Sequence, residues 1–171
     1  MIHEQLANYY DFLGLKGYKR CHEYHFLVET LSYRSVCRYF INHHNKMIEE
    51  DKLDNPNVIP QNWFKYKRQD VDNATRKNAV KEGLDTWLSW ERDTKELYQQ
   101  MYGELYNIGE FASACKIKEL IESVDHELKQ VERYALSKKA TDYNMSDIIA
   151  EQGKKHDKYE RLMKRISFHI C

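Results

Sequence analysis

Three glutamates stand where a helix would be expected to carry hydrocarbon. At steps of about 100° per residue, Tyr18, His22, His25, Glu29, Tyr33, Val36, Phe40 and Met47 share one face, with Glu29 in its middle. A second stripe, Val80, Leu84, Trp87, Glu91, Tyr98, Tyr102 and Leu105, is centred on Glu91, and Lys95 shares it. A third runs through Ile117, Leu120, Ile121, Val124, Leu128, Val131 and Ala135. Glu127 lies at its edge, with Gln130 and Tyr134 nearby. Carboxylates resist burial unless they are paired, protonated or bound to metal. A divalent cation in a helical core would explain all three at once. His25 stands one turn before Glu29, in the i, i+4 relation that can share a metal. Ion pairs, for instance between Lys95 and either Glu29 or Glu91, are the other explanation. Taken singly, His22 and His25 read as core or interface histidines, and His43-His44 as a solvated helix end.

The elements that must position these residues are helices. The chain has only two prolines, Pro56 and Pro60, and six glycines in 171 residues, too few turn formers for a sheet protein. Gly14 and Gly17 close a first helix, about 2–13, with Ile2, Leu6, Tyr9 and Leu13 on one face. A second helix is expected from Tyr18 to near Glu50, where the segment from Asp54 to Pro60 breaks it. Asp72 or Asn73 can cap a third, about 74–108, which Gly109 ends. A fourth follows at about 112–138, and Ser146 can cap a last one reaching about 167. The long interval before Asp72 predicts a crossover between non-adjacent helices. The class is all-α, one bundle domain over about 2–138 followed by the helix at about 146–167.

Composition narrows the partners. Lys+Arg and Asp+Glu are both 27, the pI is about 7.1 and the mean hydropathy is −0.83. A general nucleic-acid or anionic-membrane binder needs excess basic charge, and the one short basic run, Lys65-Tyr-Lys-Arg68, is expected to be solvated. No segment approaches the ~18 apolar residues of a membrane span, and the opening is unlike a signal peptide, so the expected setting is cytoplasmic. Cys21, Cys37, Cys115 and Cys171 lack zinc-ligand spacing. They are expected as thiols, three of them packed as small apolar groups.

Read in order, several segments resemble the ferritin family. Gly83-Leu84-Asp-Thr-Trp-Leu-Ser-Trp-Glu91-Arg looks like the start of its third helix, which carries a ferroxidase glutamate. Asn107-Ile-Gly-Glu-Phe-Ala112, then Val124-Asp-His-Glu127-Leu, is similar to its short turn and acidic fourth helix. Gly14-Leu-Lys-Gly17-Tyr with Glu29 twelve residues on resembles its second helix and ExxH glutamate, and Ile59-Pro60 with Trp63 its crossover. The likeness covers about 8–134. It implies a four-helix bundle with a long crossover and a short fifth helix, assembling as a homo-oligomer up to a closed shell. It also implies iron, as a di-iron or mononuclear site that oxidises Fe(II) for storage. The implied ligands are Glu29, Glu91 and Glu127, with Gln130 and His25 beside them. Ser32 stands at the ExxH histidine position, Gln130 where bacterioferritins have histidine, and the first helix is short. The implied site is therefore a degenerate one. The competing expectation is a helical adaptor without metal chemistry, docking through the heptad-spaced last helix.

Overall fold

The computed structural model describes residues 2–45, 67 and 70–136, and over that range the chain is helical, with four helices and no strand among the described residues. They are α1 (Ile2–Phe12), α2 (Lys16–His44), α3 (Asn73–Asn107) and α4 (Phe111–Leu136). The crossover and the last helix expected at about 146–167 lie outside the described residues.

Local chemistry sets the helix ends. Gly14 takes φ +75°, the Leu15 N–H bonds the Tyr10 carbonyl at 2.9 Å, and the Gly14 N–H bonds that of Asp11 at 3.0 Å. Gly109 repeats the arrangement at the end of α3: φ is +82°, with Glu110 to Leu105 at 2.9 Å and Gly109 to Tyr106 at 3.1 Å. Both are Schellman caps, and glycine suits them because a side chain there would be strained. α2 stops at His44, short of the expected Glu50. Asn45 adopts the left-handed conformation, φ 51°, and its N–H bonds the Ile41 carbonyl. Asparagine tolerates that region better than other side-chain-bearing residues. At the start of α3 the Asp72 Oδ1 accepts the Thr75 N–H at 2.7 Å, an N-cap as expected.

The chain divides into two compact units, and the boundary falls inside α3. The described part of the first holds α1, α2 and the opening turn of α3. α1 and α2 form an antiparallel hairpin whose interior contains Ile2, Leu6, Tyr9 and Tyr10 from α1, Leu13 and Leu15 from the turn between them, and Tyr18 and Cys21 from α2. Lys19 pairs with Asp11 across the turn at 3.1 Å, and the Arg76 Nε–H donates to the Leu13 carbonyl at 3.0 Å. The face expected to be apolar along all of α2 is buried only in its first half. Tyr33 and Phe40 are exposed.

The second unit begins at Lys77 and contains most of α3 and all of α4. Ala79, Val80, Leu84 and Trp87 of α3 and Ala114, Ile117, Val124, Leu128 and Val131 of α4 are buried. Lys95 bonds Asp125 at 2.6 Å and Arg92 reaches Glu132 at 3.5 Å. These pairs set an antiparallel register between α3 and α4. Being partly exposed, each contributes only ~0.2–1 kcal/mol. Three of the four cysteines were expected to be packed; Cys21 is buried, but Cys37 is half-buried and Cys115 exposed. Among the described residues no helix is long and apolar enough to cross a membrane.

Candidate metal centre

In the hairpin of the first unit, residues near the start of α1 face residues two to three turns into α2. His3 and Tyr10 share one face of α1, while Tyr18, His22 and His25 share one face of α2. Their rings interleave from the two helices in the order Tyr18, Tyr10, His22, His3, His25. The successive centroid separations are 5.0, 5.2, 5.0 and 5.0 Å, each pair stacked within 28° of parallel.

His3 is the hub of this stack. It is fully buried, as is His22, and His25 is 3% exposed. The Nδ1 atoms of His3 and His22 are 2.7 Å apart, a hydrogen bond in which one ring donates and the other accepts. His3 Nε2 lies 3.9 Å from Glu29 Oε1, and a ring nitrogen of His3 lies within 4.8 Å of one of His25. A separation of 3.9 Å is too long for a hydrogen bond. It is close to the spacing of two donors on one metal: bonds of about 2.0–2.2 Å put tetrahedral ligands roughly 3.3 Å apart and opposed ones roughly 4.2 Å apart. The Glu29 side chain is 30% exposed, so a carboxylate stands at the solvent edge of a buried imidazole cluster. Beyond His22, Tyr10 is kept a neutral phenol. Burial pushes its pKa well above 10.0, and the neighbouring Tyr18, Tyr9 and Cys21 act in the same direction.

Of the residues singled out from the sequence, His25 and Glu29 therefore each come close to His3 on the hairpin. The residue they meet, His3, was passed over, although it lies three residues before Leu6 and seven before Tyr10 on a face that is buried. Ser32 is half-buried, one turn beyond Glu29. The other three belong to the second unit. Glu91 is buried as its stripe required, and its Oε1 accepts the Trp87 indole N–H at 3.0 Å, one turn back on α3. Lys95, a candidate partner for Glu29 or Glu91, is paired with Asp125 instead. Glu127 is buried, deeper than its edge position on the α4 stripe implied, and Gln130 is half-buried. Among the described residues Glu91 belongs to no group of three or more His, Cys, Asp or Glu donors. His43 and His44 are exposed in the last turn of α2, the solvated helix end that was expected.

The donor chemistry on the hairpin, imidazole with one carboxylate, fits iron as well as zinc, copper or nickel. Glu91, by contrast, would have to share its carboxylate with an indole N–H. No family model matches this sequence, and no curated protein or solved structure matches it.

Proposed function

We propose that this chain binds a divalent transition metal on its α1–α2 hairpin, through His3, His25 and Glu29. The observation that carries this is the environment of buried His3, with the Glu29 carboxylate 3.9 Å from one ring nitrogen and a nitrogen of His25 within 4.8 Å. In its finer form the proposal is the ferritin-like one. Iron would be the metal and Fe(II) the substrate, and the helices would belong to a bundle that assembles as an oligomer. The ordered spacing of the ferritin-like segments and the burial of Glu91 and Glu127 support that form. In that form iron would supply one-electron chemistry toward dioxygen, and its ligands would be drawn from the carboxylates that the ferritin resemblance implies.

The test is metal content after dialysis against Zn(II), Co(II) or anaerobic Fe(II), with calorimetric titration of each. Wild type should retain about one equivalent. His3→Ala and His25→Ala should lose it and Glu91→Gln should keep it. Loss in Glu91→Gln with retention in His3→Ala would move the site to the ferritin-type carboxylates. A wild type that retains no metal would overturn both forms.

One observation favours the adaptor instead. At the turn between α3 and α4, Tyr106, Ile108 and Phe111 are each more than half exposed, an apolar tip of the kind that contacts other proteins.

A further inference from the structure

His22 lies inside the histidine cluster, yet its geometry separates it from the donors. Its Nδ1 is 2.7 Å from His3 Nδ1, so that nitrogen of His3 is already engaged, while His3 Nε2 is the atom 3.9 Å from Glu29. We infer that His22 is a positioning residue of the metal site rather than a ligand: it fixes the tautomer and ring orientation of His3. This rests on the hairpin site proposed above. With His22 as acceptor, His3 keeps its proton on Nδ1 and presents the Nε2 lone pair toward Glu29. His22, accepting at Nδ1, carries its own proton on Nε2.

The packing makes His22 a rigid acceptor. Its ring lies against Tyr10 at 5.2 Å and only 15° from parallel, and both residues are fully buried. Tyr10 is held in turn by Tyr18 at 5.0 Å. A half-turn of the His3 ring would put Cδ2 in the place of Nδ1 and Cε1 in the place of Nε2, and it would break the bond to His22 in surroundings where a lost hydrogen bond is costly. Metal-bound histidines generally have such a partner on the second nitrogen, most often a carboxylate or carbonyl. Here the partner is a second imidazole. His25 differs: it stacks on His3 at 5.0 Å and stands one turn before Glu29 on α2, with a ring nitrogen within 4.8 Å of one of His3.

The experiment is Zn(II) binding by the full chain and its His22→Leu and His22→Asn variants, with proton–nitrogen imidazole spectra of the Zn-loaded wild type. Leucine fills the space without an acceptor, and affinity should fall 10–100-fold. Asparagine places Oδ1 where histidine has Nδ1 and should recover most of that loss, which a purely space-filling role would not predict. The spectra should show His3 bound through Nε2 with its proton on Nδ1, a result that needs no variant to fold. Wild-type affinity in His22→Leu, zinc on His3 Nδ1, or zinc bound by a His22 nitrogen would each overturn the positioning role while leaving the metal site standing. A wild type that takes up no zinc overturns the site itself, and the role of His22 with it.

Discussion

The Nδ1 atoms of His3 and His22, nineteen residues apart in the chain, lie 2.7 Å from each other inside the α1–α2 hairpin. Apolar residues alone permit neighbouring registers between two helices. A polar pair in a low-dielectric interior does not, because a slip separates two groups that each cost ~1–3 kcal/mol when buried without a partner. With the short turn at Gly14, this contact therefore helps to fix how α1 runs along α2. It brings the start of α1 to the level of His25 and Glu29.

Metal binding to the folded hairpin should raise stability by mass action. At a free Zn(II) concentration 100-fold above its Kd, the increase should be about 2.7 kcal/mol. Thermal unfolding with and without Zn(II), reversed by a chelator, reads this directly. His3→Ala should show no increase at the same concentration.

Trp87→Phe should destabilise the fold by ~1–3 kcal/mol. Phenylalanine keeps most of the apolar ring and removes the N–H donated to buried Glu91. In a denaturant titration, adding Glu91→Leu should recover much of the loss, since an apolar residue leaves no carboxylate to be served. A Trp87→Phe variant as stable as wild type would show that the indole bond contributes nothing.

Tyr10→Phe should be neutral or stabilising near neutral pH. It keeps the stacked ring and deletes a buried hydroxyl with no hydrogen-bond partner among the described residues. The variant should part from wild type in alkali. The Tyr10 pKa is raised in the fold, so its contribution is complete below the unfolded value, 10.0, and is lost as pH rises through the higher folded value. Alkaline unfolding followed by phenolate absorbance should therefore come at higher pH in Tyr10→Phe.

The start of α3 should loosen in acid. The Thr75 side chain and N–H hold the Asp72 carboxyl below its ordinary 3.8. Its stabilisation is thus present above 3.8 and disappears as pH falls through the lower folded value. Protection of the Thr75 amide from exchange, taken relative to its intrinsic rate at each pH, should fall over that window. In Asp72→Asn, which keeps an acceptor at every pH, the acid dependence should vanish; in Asp72→Ala, protection should be low throughout.

Much of this molecule is legible along the chain because the signals are local. Gly14, Gly109 and Asp72 mark helix ends through bonds that span only a few residues, so no tertiary information is needed to place them. Asn45 gave a weaker signal, because asparagine serves helix interiors, turns and caps alike, and the end of α2 was misplaced accordingly. Periodicity also identified Glu91 as a buried carboxylate and put His25 and Glu29 on one face, since 3.6 residues per turn decides which side chains point together.

Periodicity does not say what stands opposite. His3 became the centre of the candidate site only when α1 folded against α2 and placed it among His22, His25 and Glu29. Lys95 had several carboxylates in reach by sequence, and the register of α3 and α4 gave it to Asp125. Glu91, one of the two carboxylates central to their helix faces, accepts a bond from Trp87 on its own helix. The sequence by itself determined the helices, most of their ends and the faces they bury, because backbone hydrogen bonding and side-chain direction are short-range. Only the tertiary structure decided which polar groups on those faces meet, because the contacts are set by inter-helix register, a quantity that no single helix contains.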